Sequence, residues 1–423
     1  MLRKISSSEY ARNSFILIFG TGLAQLIPIL LQPILRRLFT DEEFGIFAQF
    51  YSIVSVLSIV SNLRYSNSIV IPKSDKEALG ILAGSLLLNF ITSLVFFLLF
   101  ILFGQYLFSA IGFSSELVNY IWMLPVSIFL IATNISFNFW LTRKKKYIGM
   151  AVNKGVRRIS EGGMQMALSN GFQKGGLIIG SLIGDFLNLL MFLFQFKKAE
   201  GSFKGVDKTT IKNALAAQSE FPKHSLFPAL LDVVSMNLPI FIISSNYTKS
   251  IVGQFDGSRQ LLAIPLALIS ISLSQVLYQK IVETNNENKK VYPLVRQNFI
   301  FLGLLSIVGM LIFIPFGVPI YTFVFGNDWE LAGQMSQILV ASYAIRFLIS
   351  PLSIVFIALK KMKISALWQV FYFLSMLLLL LFNDYSIQDF LYYFVLIDVI
   401  AYAVYGVLIY VTLIAHDKGL SNN

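Results

Sequence analysis

Twelve long apolar stretches fill this chain, and lysine and arginine fall almost entirely into alternate gaps between them. The stretches lie at about 14–36, 44–63, 79–103, 117–141, 148–169, 174–196, 224–246, 251–279, 298–319, 332–357, 364–382 and 388–414. Each is near or above the ~20 residues that a helix needs to cross ~30 Å of hydrocarbon. No soluble domain of this size hides that many. The expectation is an all-α polytopic protein of the bacterial inner membrane with about 12 transmembrane helices.

The amino-terminal tail and every second gap hold 24 of the 33 basic residues, from Arg3, Lys4 and Arg12 through Arg143–Lys146 to Lys360, Lys361, Lys363 and Lys418. The other gaps hold Arg36, Arg37, Lys174 and Lys249, and carry acids such as Asp41, Glu42, Glu43, Glu116, Asp328, Glu330, Asp384 and Asp389. Under the positive-inside rule both termini are expected in the cytoplasm. The net charge of +11 is then loop charge that orients helices and lies against anionic lipid heads. It is not read as a nucleic-acid surface.

Chemistry is constrained by what the chain lacks. With no cysteine, disulfides and thiolate metal sites are excluded. His224 and His416 stand at expected cytoplasmic helix ends, too far apart in sequence to suggest one metal site. No P-loop, HExxH, CxxC or G-x-S-x-G is present. No catalytic residue, metal site or cofactor is expected, and the chain reads as a transporter rather than an enzyme. The charges at its start run into a full-length span, which reads as a retained first helix.

The gap at 197–223 divides the spans six and six. It suggests an N-terminal lobe over 1–196, a cytoplasmic connecting loop with at most a short surface helix, and a C-terminal lobe over 224–423. A weak repeat fits: Phe44-Gly45-Ile46-Phe47 and Val252-Gly253-Gln254-Phe255 sit 208 residues apart at the starts of spans two and eight. Repeats of six spans are parallel, related by a pseudo-two-fold axis along the membrane normal. Pro28 and Pro33 in span one suggest a bent, rocking helix.

Five bases and five acids remain inside spans: Lys154, Arg157, Arg158, Arg259 and Arg346, with Glu161, Asp185, Asp232, Asp256 and Asp398. A charge at membrane depth costs at least ~2.5 kcal/mol, so it faces a partner or a watery cavity. In span five, at ~100° per residue, Lys154, Arg157, Arg158, Glu161 and Gln165 share an arc of roughly 100°. A later start to that span would leave Lys154 and Arg157 among the headgroups. Asp256 and Arg259 are spaced to pair on one face, or to hold a ligand. Arg346 has no acid at helical spacing, so a substrate or another helix must satisfy it. Asp185 and Asp232 either carry a proton or balance arginines, and Asp398 has no evident role. Arg36 and Arg37 point about 100° apart, so one can snorkel while the other looks inward. Paired guanidinium forks suit phosphate.

Five ordered segments carry a family resemblance. They are Pro33-Ile34-Leu35-Arg36-Arg37-Leu38-Phe39 with Glu43-Phe44-Gly45; Leu63-Arg64-Tyr65 through Ile69-Val70-Ile71-Pro72-Lys73; and Phe139-Trp140-Leu141-Thr142-Arg143-Lys144-Lys145. Next come Glu220-Phe221-Pro222-Lys223 with Asn237-Leu238-Pro239, then Phe325-Gly326 to Trp329-Glu330, Arg346-Phe347 and Ser350-Pro351-Leu352. Together they resemble the Wzx-type flippases of lipid-linked oligosaccharides, in the multidrug/oligosaccharidyl-lipid/polysaccharide (MATE-like) exporter superfamily. The resemblance implies two six-helix lobes around a cavity that opens alternately to each side. It also implies cationic residues that receive the pyrophosphate, with the polyprenyl tail left in lipid. Arg37, Arg259 and Arg346 match the first-, eighth- and tenth-helix arginines of that pattern. Asp185 departs from it, at a place expected to be uncharged and polar.

The expected function is therefore translocation of undecaprenyl-pyrophosphate-linked repeat units to the periplasmic leaflet for O-antigen, capsule or exopolysaccharide synthesis. The cationic set is Arg36, Arg37, Lys154, Arg157, Arg158, Arg259 and Arg346. Glu161, Asp185, Asp232 and Asp256 are candidates for H+ or Na+ coupling or for charge balance. Membrane lipids are expected partners, and polysaccharide polymerase machinery a further candidate. The competing expectation is a MATE-like antiporter of drugs or organic cations, which needs unpaired acids where the flippase needs unpaired bases. A membrane glycosyltransferase or polymerase would need a large periplasmic loop, and no gap is long enough.

Overall fold

The computed structural model describes residues 26–169, 171, 175–199, 201–382 and 385–421. Arg3, Lys4, Arg12, the start of the first apolar stretch, Lys174 and Asp384 lie outside the described residues. Among the described residues there is no strand. The helices are α1 (26–38), α2 (Asp41–Val60), α3 (Asp75–Ile111), α4 (Met123–Arg143), α5 (Tyr147–Leu168), α6 (Gly176–Lys198), α7 (Lys208–Ala217) and α8 (Glu220–Asn246). They continue as α9 (Lys249–Pro265), α10 (Ile271–Asn286), α11 (Tyr292–Phe325), α12 (Glu330–Ile349), α13 (Ile354–Ala358), α14 (Met362–Leu377) and α15 (Ile387–Ser421).

Ten segments of the described residues are long and apolar enough to cross a membrane. They correspond to ten of the twelve expected stretches. The other two are the first stretch, which is described only from residue 26, and α5, whose four charges between Lys154 and Glu161 lower its hydropathy. The 197–223 gap holds one short helix, α7.

Local chemistry sets the helix ends. Thr40 and Glu43 form a capping box at the start of α2, each side chain bonding the other's backbone amide. Helix α3 ends at Gly112, whose φ of 76° suits glycine. A Cβ there would also meet the Ser245 Cα at 2.3 Å. The eighth stretch is not one regular helix: α9 ends at Pro265, a π-helical turn spans Leu266–Ser270, and α10 follows. Proline lacks the amide that a regular ladder requires, so the break has a local cause.

The chain packs as two compact units, one ending at Ser245 and the other beginning at Asn246. The first unit therefore includes α8, held by the Gly112 contact and by Phe113 against Phe241 at 5.7 Å between ring centroids. Two apolar clusters of described residues lie in this unit. One joins Ile81, Phe137, Trp140, Phe192 and Phe196, and the other Phe50, Phe100, Phe108, Ile128 and Ile178. Along α3, α4 and α6 the positions between these clusters are buried and polar: Ser85, Asn89, Thr133, Asn134, Ser136, Ser181, Asp185 and Asn188. Ser61 Oγ donates to Asn89 Oδ1 at 2.9 Å, and Thr92 Oγ1 donates to the Ser61 carbonyl at 3.0 Å. These bonds tie α3 to the end of α2 inside the unit.

In the second unit α12 lies along α11, α9 and α15. Its far end is closed by Asp417 of α15. That carboxylate accepts from the Val291 and Tyr292 amides at 2.9 and 3.0 Å, and so caps α11 from across the chain. His416 Nε2 lies 2.7 Å from Asn285 Oδ1 beside it.

Candidate functional site

Helix α6 begins with Gly176, Gly180 and Gly184, one face at four-residue spacing. A Cβ at Gly180 would meet the Gln165 amide nitrogen at 2.8 Å, and one at Gly184 the Glu161 Cα at 3.0 Å. The missing side chains let α5 and α6 touch backbone to backbone. Further along, Asn153 and Gln195 exchange amide bonds at 3.1 and 2.8 Å and fix the register of the pair. Close approach and register together set where the α5 charges fall.

Arg157 Nε donates to Asp185 Oδ1 on α6 at 2.5 Å, and Arg157 Nη2 to the Tyr51 hydroxyl of α2 at 3.4 Å. Asn134 Nδ2 of α4 donates to the Asp185 carbonyl at 3.0 Å, anchoring the acid's backbone. Asp185 is buried and Arg157 half-buried. Arg158 Nη1 instead reaches Glu161 Oε2, one turn along its own helix, at 3.0 Å. Lys154 is exposed, and Gln165 is buried, donating to the Leu177 carbonyl at 3.0 Å. The basic stripe thus divides between an inward edge held by α6, an internal ion pair, and an exposed lysine. Mutual neutralisation is what lets these charges stand on a helix among apolar neighbours.

The second unit holds a tighter cluster. Arg346 of α12 and Asp398 of α15 meet through two bonds of 2.7 Å, Nε to Oδ2 and Nη2 to Oδ1. Tyr372 of α14 accepts from Arg346 Nη2 and donates to Asp398 Oδ1, both at 2.9 Å. The Ser342 hydroxyl donates to Asp398 Oδ2. The guanidinium also lies 5.5 Å from the Tyr402 ring centroid and 5.6 Å from that of Tyr343.

The sequence pattern of polysaccharide biosynthesis proteins matches residues 34–333 of this chain. The chain belongs to that family. No curated protein matches the sequence significantly. Among solved structures, an inward-facing multidrug resistance MATE family transporter of the MOP superfamily aligns with a TM-score of 0.73 at 15% identity, covering 95% of this chain and 99% of that one. The lipid II flippase MurJ, inward closed, gives 0.74 at 17% identity over 95% and 89%. An outward-facing MATE transporter of the MOP superfamily gives 0.61 at 13% identity over 96% of each. This polysaccharide biosynthesis protein is thus a multi-pass membrane protein with the fold expected for that superfamily.

Arg36 is buried, its guanidinium 4.2 Å from the Phe44 ring centroid, while its neighbour Arg37 is exposed. Arg259 lies 5.3 Å from the Phe255 centroid, and Asp256 accepts from Gln260 Nε2 at 3.5 Å on the same helix. Asp232, on α8, acts electrostatically on Arg64: burial lowers the Arg64 pKa, and the Asp232 charge opposes that shift. Sequence reasoning left Asp398 without a role, and it is the partner that Arg346 required. Tyr51, Asn134, Ser342 and Tyr372 were not singled out at all. Only their position beside an ion pair distinguishes these four.

Proposed function

We propose that this protein is a flippase that carries undecaprenyl-pyrophosphate-linked oligosaccharide repeat units from the cytoplasmic to the periplasmic leaflet of the bacterial inner membrane. The product would feed O-antigen, capsule or exopolysaccharide synthesis, with polymerase machinery acting downstream. Both termini are placed in the cytoplasm by the alternation of basic gaps. Membership of a polysaccharide biosynthesis family supports the substrate class, and the fold shared with a lipid II flippase fits a lipid-linked cargo.

The observation that carries the reading is on α5. Arg157 and Arg158 are each held by an acid. A pyrophosphate offers those guanidinium groups a bidentate partner of higher charge. Asp185 and Glu161 then take the arginines back when the cargo leaves, so binding is reversible. Lys154 adds exposed positive charge on the same helix, and Arg36, Arg37 and Arg259 complete the basic set we assign to cargo, whereas Arg346 is committed to Asp398. Alternating access moves the cargo across. Asp185 or Asp232 serves as the coupling group for an H+ or Na+ gradient. The competing reading, a cation antiporter, draws on the MATE-like fold and the same acids. Membership of a polysaccharide biosynthesis family weighs against it.

Replacing Arg157 and Arg158 together by alanine should abolish polysaccharide display at matched protein level, and lysine at both positions should rescue in part. Full display from the double alanine variant would sink the assignment. Reporters fused at Lys145 and Asn327 should fall on opposite sides, with Lys145 inside.

A further inference from the structure

The turn between α4 and α5 contains an unusual residue choice. Lys146 N donates to the Leu141 carbonyl at 2.9 Å and Lys145 N to the Thr142 carbonyl at 3.0 Å. This is the bonding of a Schellman cap, and Lys145 occupies its left-handed position with φ of 53°. Glycine or asparagine adopts that conformation readily, whereas a lysine is strained there. Where α3 ends with the same geometry, glycine is indeed used, at Gly112. The end of α13 repeats the lysine, with Lys360 at φ 57° and Lys361 N on the Phe356 carbonyl at 2.7 Å. Strain retained at a charged residue motivates a functional hypothesis.

Lys145 opens onto a cleft of about 590 Å³, shared with Val70, Asp75, Arg143, Lys144 and Tyr147. Three cations face one carboxylate there. Arg143 is committed to the fold: it donates to Asp75 Oδ1 at 2.9 Å and to the Pro72 and Lys73 carbonyls at 2.5 and 3.3 Å. Lys144 is held by Asp75 Oδ2 at 2.5 Å and lies over the Trp140 ring. Lys145 makes no ion pair among the described residues and is exposed. Val70 in the lining is an exposed apolar residue, and so are Ile71 and Ile148, which follow the lining residues Val70 and Tyr147 in sequence. Cations and exposed apolar side chains at the end of a membrane helix suit the boundary between lipid tails and headgroups, and the positive-inside rule assigns this end to the cytoplasm.

We propose that this cleft is a site for the phosphodiester of an anionic glycerophospholipid, with Lys145 as its free cation and the flanking apolar residues against the acyl chains. Asp75 sets the rim by holding two cations in place, and leaves the third to the lipid. Basic pockets at the cytoplasmic ends of membrane helices bind anionic headgroups by this chemistry. The site is separate from the α5 arginines and does not depend on what those arginines carry.

The test uses the full chain purified in detergent and native mass spectrometry with phosphatidylglycerol and phosphatidylcholine. The wild type should retain phosphatidylglycerol in preference. Lys145→Gly removes the charge and relieves the backbone strain, so its melting temperature should equal or exceed that of the wild type. Its preference should nevertheless fall about fivefold, the factor expected for one lysine at a membrane surface. Lys145→Asn, neutral and also tolerant of the left-handed position, should behave likewise, and keeps the test valid if the glycine variant is poorly folded. An excess of inorganic phosphate should leave the lipid bound. An unchanged preference in either folded variant would overturn the proposal. Displacement by inorganic phosphate would overturn the assignment to a lipid.

Discussion

The guanidinium of Arg346 and the carboxylate of Asp398 lie side by side, joined by two parallel bonds of 2.7 Å across 52 residues of sequence. Asp398 is fully buried, and it accepts in addition from Tyr372 and Ser342. Every strong acceptor position on the acid is thereby occupied, and α12, α14 and α15 meet at one point.

Breaking that pair from one side should unfold the second unit. Removing one partner of a buried ion pair leaves an uncompensated charge and costs roughly 3–5 kcal/mol. Asp398→Leu should lower the melting temperature in detergent steeply. Adding Arg346→Met should recover most of the loss, because an apolar pair of similar volume carries no desolvation penalty. A single variant as stable as the wild type would contradict the account.

On α5 the expected effect of a single change is kinetic. Asp185→Asn removes the acid that competes with cargo for Arg157. If the arginine is a cargo ligand, the variant should bind a pyrophosphate-bearing lipid more tightly and export it more slowly. Native mass spectrometry for binding and surface polysaccharide for export measure the two separately. Weaker binding together with slower export would mean that Asp185 only positions the helix.

The glycine face of α6 should tolerate no bulk. Gly180→Leu or Gly184→Leu inserts a side chain where even a Cβ would lie about 3 Å from α5 atoms. The two helices would separate and move Arg157 away from Asp185. Overpacking of this kind typically costs about 1–3 kcal/mol. Reduced melting temperature and lost export are expected together, whereas Gly163→Ala, which meets nothing within 4 Å, should leave both unchanged.

Helix α7 carries a pH dependence of known sign. Asp207 caps it, accepting from the Thr210 hydroxyl at 2.5 Å and the Thr210 amide at 2.8 Å, and this bonding, the hydroxyl's first, holds the carboxyl pKa below its ordinary value. A depressed pKa adds stability above the ordinary carboxylate range, and that stability is lost as pH falls through the lowered value. Hydrogen exchange of the first-turn amides of α7, corrected for intrinsic rates, should therefore accelerate on acidification. In Asp207→Ala it should be fast at all pH values, and an unchanged rate in that variant would show that the cap is idle.

The spans were legible because hydropathy and basic gaps are carried by every residue of a stretch. The charges within the apolar stretches were also legible, since a charge stands out in an apolar run. Partnership was not legible. Arg346 and Asp398 are brought together by the rotation of three helices about their own axes, which no local spacing encodes. The α5 stripe is divided by the neighbouring helix: Arg157 pairs with Asp185, whereas Lys154 is exposed. The glycines at 176, 180 and 184 were a readable signal for that close neighbour, and the four-residue spacing passed unused. Asn89 and Asn134 gave no signal, because a buried amide and an exposed one look alike in a sequence.

Asp417 joins the last helix to the beginning of α11, and this turns the end of α15 into a part of the protein's interior wiring. A reporter, tag or stop codon placed before residue 417 would strip the cap from Val291 and Tyr292, more than a hundred residues upstream. Truncations in this region would thus report on the integrity of α11 rather than on the removal of a tail. A topology fusion meant to read the carboxyl-terminal side has to be attached beyond Asp417 to interrogate an undisturbed molecule.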